Sequence, residues 1–139
     1  MTEQKPLNTL RNGNDTLALV ATVISACDET KGIDPAVLDV SDVFSLADYF
    51  VIVSGRSDRQ VQGITHKILA KLAERNLEPL AVEGQERSHW VLIDCGEVIV
   101  HVFYEPVRAY YDLESLWHTA RRLDIVKEIL PLESRQQAA

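Results

Sequence analysis

The order of apolar and polar positions divides the chain into alternating helical and extended segments. Helical spacing starts after Asp15, a residue suited to cap a helix. Leu17, Val20, Ile24 and Cys27 then follow at steps of three, four and three and make one apolar stripe. Gly32 is the expected stop of this helix. Pro35 opens Ala36-Val-Leu-Asp-Val40, read as a short strand, and residues 42–48 connect it to Tyr49-Phe-Val-Ile-Val-Ser-Gly55. That unbroken run of β-branched and aromatic residues is the pattern of a strand covered on both faces. Ser57 stands three residues before Gln60, a capping-box spacing, and Val61, Ile64, Ile68 and Leu72 line one face of the helix that follows. Its other face carries Arg59, Gln62, Lys67, Lys71 and Arg75, and it ends near Asn76 and Pro79.

Residues 80–83 predict a third strand. The runs 90–94 and 98–104 flank Cys95-Gly96-Glu97, which reads as a β-hairpin closed at Pro106. Residues 107–122 return to helical spacing, with Leu113, Leu116, Trp117 and Ala120 facing inward, and an amphipathic stretch from Ile125 to Leu130 ends at Pro131. The order α-β-β-α-β-β-β-α predicts an α/β fold with a single mixed β-sheet of about five strands flanked by helices. It leaves the strand order open. Residues 1–15 lack periodicity and read as a flexible N-terminal leader, 16–122 as the folded α/β domain, and 123–139 as a C-terminal helical extension with a disordered tail.

Composition narrows the partners. The 139 residues carry a formal net charge of −7, with 21 Asp and Glu against 14 Lys and Arg. An acidic chain is a poor match for a phosphate backbone but suits a basic protein. No apolar run is long enough for a membrane span, and the first residues resemble neither a secretory signal nor a transit peptide. Cys27 and Cys95, far apart and outside any CxxC pair, point to reduced thiols and a cytoplasmic location. Cys95 at the hairpin tip is expected to be exposed.

The acidity is not spread evenly. Residues 83–114 hold seven acids, Glu83, Glu86, Asp94, Glu97, Glu105, Asp112 and Glu114, against Arg87 and Arg108, so −5 of the −7 lies there. The same stretch holds Trp90, Phe103, Tyr104, Tyr110 and Tyr111, five of the nine aromatics. Aromatics with Arg inside a charged surround are the composition of a protein-binding surface. On composition alone, a buried aromatic core beneath a solvated acidic face weighs equally.

Three chemical readings compete. The loop Ser54-Gly55-Arg56-Ser57-Asp58 joins a buried strand to a helix N-terminus, where N–H groups can hold an anion. It lacks the spacing of a P-loop or dinucleotide fingerprint, which favours a plain turn and cap. Asp39, Asp42, Asp48 and Asp94 with His101 are candidate metal ligands for phosphoryl transfer. No Asp-x-Asp pair exists to put two carboxylates on one face of a strand, and His101 among apolar neighbours favours a structural histidine. Neither cysteine has a neighbouring base in sequence, which argues against a thiol nucleophile. The residues themselves thus assign no catalytic group and no metal or other cofactor.

Specific strings then add to this reading. Trp90-Val-Leu-Ile-Asp-Cys-Gly-Glu-Val-Ile-Val-His-Val-Phe103, followed by Arg108-Ala-Tyr-Tyr-Asp-Leu-Glu-Ser-Leu-Trp117, resembles the signature of the ribosomal silencing factor (RsfS, or Iojap) family. Asp39-Val40, residues 47–61 and Val82-Glu83-Gly84 are similar as well, so the resemblance covers roughly residues 16–120. It implies a nucleotidyltransferase-like fold without enzymatic activity, binding to the large ribosomal subunit at its intersubunit face through the fourteenth protein of the L series, hindered subunit joining, repression of translation under nutrient limitation, and a homodimer when free. The matching partner-binding positions are Trp90, Asp94, Gly96, Glu97, His101, Arg108, Tyr111, Asp112 and Glu114. Cys95 departs from the pattern, standing where a larger apolar residue is expected. The remaining alternative is a metal-dependent nucleotidyltransferase or phosphohydrolase on the same fold, which requires the acids to converge.

Overall fold

A computed structural model describes residues 13–132. The elements are α1 (Gly13–Glu29), β1 (Ile33–Asp39), β2 (Tyr49–Gly55), α2 (Asp58–Glu74), β3 (Ala81–Glu83), β4 (Trp90–Asp94), β5 (Val98–Tyr104), α3 (Glu105–Tyr111), α4 (Leu113–Leu116) and β6 (Arg121–Arg122), followed by a π-helical turn, Ile125–Ile129. The six strands form one mixed sheet in the order β3-β4-β5-β2-β1-β6. Only β2 and β5, at its centre, pair in parallel; the other neighbours are antiparallel.

Strand alternation divides the core in two. Val51 and Val53 of β2, Val98, Val100 and Val102 of β5, and Val91 and Ile93 of β4 face α1 and α2. Phe50, Ile52, Leu38 and Phe103 face the opposite side, where Phe44, Trp117 and Leu113 pack on them. β2 is therefore buried on both faces, as its unbroken apolar run requires. Each fully buried Val, Ile or Phe there contributes about 1.5–3 kcal/mol from removal of apolar surface from water.

Local signals explain α2. Ser57 caps it, its hydroxyl accepting the Gln60 N–H at 3.0 Å, and Val61, Ile64, Ile68 and Leu72 are buried. The second arm of the capping box is displaced by one residue: Gln60 Oε1 accepts from the Arg56 N–H at 2.7 Å. Gln60 Nε2 donates to the Lys31 carbonyl at 3.1 Å, tying the loop to the end of α1.

Several expectations are corrected. α1 already includes residues 13–15, so Asp15 lies in its first turn rather than capping it; residues 1–12 of the expected leader and the tail from 133 onward lie outside the described residues. The left-handed residue after α1 is Lys31, with φ 59°. Gly32 is required for a different reason, because a Cβ there would meet Val53 Cγ2 at 2.5 Å. The sheet has six strands rather than five. The sixth is a two-residue pairing of Arg121 and Arg122 with Asp39 and Leu38, too short to leave any periodicity. The helix expected over 107–122 is broken at Asp112, which adopts φ 49°, ψ 56°. As a result Leu116 is 68% exposed, whereas Leu113, Trp117 and Ala120 pack on the second core cluster. Pro131 does not end the C-terminal stretch, which remains helical through Leu132. Cys95, expected at an exposed tip, is fully buried in the core under the helices.

Candidate functional site: an aromatic groove beside the open half of the sheet

α1 and α2 cover one face of the sheet. On the other face α3, α4 and Trp117 pack over the centre, and the β4 side is left partly open. Trp90, Leu92 and Asp94 point to that side while Val91 and Ile93 point to the helices. The antiparallel register sets Trp90 opposite Phe103 and Leu92 opposite His101, so Trp90 and His101 are diagonal neighbours within reach of long side chains.

Trp90 is the centre of an aromatic cluster. Its indole N–H donates to Nδ1 of His101 at 3.1 Å. Its ring lies 4.9 Å from that of Phe103 and 4.8 Å from that of Tyr111. Tyr110 meets Tyr111 edge-on at 5.0 Å, and both tyrosines are exposed, 81% and 51%. Trp90 and the two tyrosines line a groove of about 620 Å³ together with Arg87, His89 and Val107. Gly84 lines it as well, with φ +88° and a backbone so close to β4 that a Cβ would meet the Trp90 carbonyl oxygen at 2.1 Å. Sequence reasoning assigned residues 85–89 no role, yet this turn supplies Arg87 and His89. Leu92 was missed as well, although the alternation of β4 places it on the Trp90 face.

His101 is 5% exposed. Burial pushes its pKa down to about 4, because desolvation disfavours the imidazolium. At neutral pH the ring is therefore uncharged, and since Nδ1 accepts from Trp90 its proton sits on Nε2.

Arg108, Asp112 and Glu114 form a second group at the corner between α3 and α4. The Arg108 guanidinium holds Glu114 in a two-point pair, 3.2 Å from Nε to Oε1 and 2.7 Å from Nη2 to Oε2. Its Nη1 donates to Ser54 Oγ at 2.9 Å and to the Ile33 carbonyl at 3.3 Å. The Ser54 end of the loop read as a possible anion site is thus occupied by the protein's own cation. Asp112 donates its N–H to the Arg108 carbonyl and accepts from the Ser115 hydroxyl at 2.6 Å.

Asp94, Gly96 and Glu97 lie at the far end of the β4–β5 hairpin, about 13 Å along the strand from Trp90. Asp94 Oδ1 accepts the Gly96 N–H at 2.9 Å, and Gly96 turns with φ 86°. The Glu97 carbonyl accepts from the N–H groups of Asp48 and Tyr49, at 2.8 and 3.1 Å. The nine candidates therefore divide into three groups: Trp90, His101 and Tyr111; Arg108, Asp112 and Glu114; and Asp94, Gly96 and Glu97. Two acids of the metal-dependent alternative are employed in turns: Asp39 accepts from the N–H and hydroxyl of Ser41, and Asp94 closes the hairpin. Among the described residues no three His, Cys, Asp or Glu side chains are placed to hold a metal ion. No helix among them is long and apolar enough to cross a membrane.

Known proteins match this chain over most of its length. It is 41% identical over 101 residues to the ribosomal silencing factor RsfS of Bacillus subtilis, covering 73% of this chain and 86% of the relative. It is 31% identical over 117 residues to the mouse protein named mitochondrial assembly of ribosomal large subunit protein 1, covering 78% of this chain and 51% of the relative. The crystal structure of a Chromobacterium violaceum protein superposes with a TM-score of 0.70 at 38% identity, over 72% of this chain and 83% of the other. The family model described as ribosomal silencing factor during starvation matches residues 13–139, so the likeness extends past residues 16–120 into both flanks, and the chain belongs to the ribosomal silencing factor family.

Proposed function

We propose that this protein is a non-catalytic, cytoplasmic silencing factor. It binds the large ribosomal subunit at the intersubunit face, blocks association with the small subunit and represses translation when nutrients are limiting. Its contact is the fourteenth protein of the L series, and the free protein is a homodimer. The observation that carries this reading is the aromatic groove at Trp90, Tyr110 and Tyr111, set within the stretch that holds most of the net negative charge. Trp and Tyr anchors in a concave surface are the residues that concentrate binding energy. An acidic chain is repelled by ribosomal RNA, so a basic ribosomal protein is the fitting partner, and complementary charge speeds and orients association. In this reading Trp90 and Tyr111 touch the partner, Arg108 and Glu114 hold α3 in place beneath them, and Asp112 adds charge at the rim. Asp94, Gly96 and Glu97 form the far border of the face, and His101 stands behind Trp90. The family membership and the name of the mouse relative support the large subunit as the target.

The test is co-sedimentation with purified large subunits through a sucrose gradient. Wild-type protein is expected to travel with the large subunit, and Trp90→Ala or Tyr111→Ala to remain near the top. Tyr111 is half exposed, so its truncation probes the contact with little effect on folding. Wild-type protein that stays at the top in moderate salt refutes the proposal.

A further inference from the structure

His101 is a poor direct contact for any partner. It is 5% exposed, in the middle of β5, and its ring is walled by Phe103, nearly parallel at 12°, and by the edge of Phe50 at 5.1 Å. It is also a costly choice for a strand core. Its Nε2 is buried with no hydrogen-bond partner, a loss that Phe or Leu at this site would not suffer. Nδ1, in contrast, is used, accepting the indole N–H of Trp90 at 3.1 Å. An indole offers a single donor and no acceptor, so this one bond decides which edge of the Trp90 ring turns inward. With the N–H edge held by His101, the ring lies against Phe103 on one side and Tyr111 on the other. It is thereby fixed as a wall of the groove.

We infer that His101 is a positioning residue: its Nδ1 sets the orientation of Trp90, and it acts on the docking partner only through that ring. The inference rests on the docking role proposed for Trp90. A side chain that pre-sets a binding residue lowers the ordering cost of association. The imidazole is kept, despite its orphaned Nε2, because an apolar substitute would pack without directing the indole.

The test compares His101→Leu, which removes the acceptor, with His101→Asn, whose side-chain oxygen stands close to where Nδ1 does. The chain has two tryptophans, giving two indole N–H resonances. Trp90→Phe assigns them, and the Trp117 signal reports whether each variant is folded. In free His101→Leu the Trp90 N–H resonance is expected to move toward that of a solvent-exposed indole while the Trp117 resonance stays in place. Affinity for large subunits in the gradient is expected to fall about tenfold, the loss of one net hydrogen bond. His101→Asn is expected to restore both the resonance and the binding. An unmoved Trp90 resonance in His101→Leu overturns the inference, and so does a moved resonance with unchanged binding. A folded His101→Asn that rescues neither does the same. Wild-type protein that fails to sediment with subunits refutes the docking role instead, and the indole resonances of the free variants then decide whether His101 orients Trp90.

Discussion

Lowering the pH should weaken this fold through His101 before its carboxylates respond. In the folded protein the ring has a pKa of about 4, against 6.5 for an unperturbed histidine, and desolvation is the cause. The neighbouring strands present Phe50, Phe103, Trp90 and Leu92, none of which titrates in this range. Between these two pKa values the unfolded chain binds a proton that the folded chain does not, so stability falls as pH falls. The contribution is complete above pH 6.5. At 1.36 kcal/mol per unit, about 2 kcal/mol is lost by pH 5 and about 3 kcal/mol by pH 4. The carboxylates with depressed pKa values, Glu29 beside Lys71 and Glu128 beside the Asp124 N–H and Arg121, carry the same sign but act below their ordinary value of 4.5. Urea unfolding followed by circular dichroism between pH 7 and pH 4.5, on wild type and His101→Asn, isolates the histidine. The wild-type curve is expected to drop more steeply, closing or inverting the gap between the two by about 2 kcal/mol at pH 5. Parallel curves for the two proteins would show that the ring is not held neutral by burial, and would refute the reasoning.

Other outcomes follow from single contacts. Arg108→Ala leaves Glu114 only the longer contact to Arg122 at 3.9 Å and removes the bonds to Ser54 and Ile33, from a side chain only 11% exposed; it is expected to cost about 3 kcal/mol in urea unfolding, and a loss below 1 kcal/mol would contradict that role. Gly63 sits mid-helix in α2 with open space around its missing side chain; Gly63→Ala is expected to stabilise by about 0.5–1 kcal/mol, read as a rise in Tm, and an unchanged or lower Tm counts against it. Cys27 and Cys95 are buried, and desolvation pushes both thiols up to about 12. A thiol reagent at pH 8 should therefore modify neither in the native protein and both in denaturant; rapid native labelling of Cys95 would restore the exposed-tip reading.

What could be read from the chain and what could not differ in the range of the forces involved. β2, the β4–β5 hairpin and α2 follow from local patterns, an unbroken apolar run, a Gly-containing turn and a capped amphipathic repeat, and each lies where the pattern places it. The break at Asp112 does not. Residues 107–122 keep helical spacing, but α3 ends at the left-handed Asp112, and Arg108 is tied to Ser54 and Ile33, 54 and 75 residues earlier in the chain, by contacts that no local pattern announces. The site behaved in the same way. Trp90 and Tyr111 were visible as aromatics in an acidic stretch, but not that their rings meet at 4.8 Å. Nor could spacing alone place His101 under Trp90, because that needs the register of the hairpin. Cys95 was misplaced because a tip residue is usually exposed, whereas the β4 alternation carries on through it and turns it toward α1 and α2.

The corner at α3 and α4 shows how the groove stays open. Neither helix buries a residue completely, so apolar burial alone cannot fix their position. The fixed points are polar: the two-point pair of Arg108 with Glu114, the reach of Arg108 to β2 and to the start of β1, and the left-handed turn at Asp112. On the same face Trp90 and Leu92 of β4 stay half-buried. The polar corner carries Tyr110 and Tyr111, which line the groove beside Trp90. Of the two basic residues in the acidic segment, Arg108 is therefore spent inside the protein together with Glu114, while Arg87 stays exposed at the groove. The groove itself keeps both signs, Glu86 beside Arg87, so the charge that suits a basic partner comes from the other acids of residues 83–114.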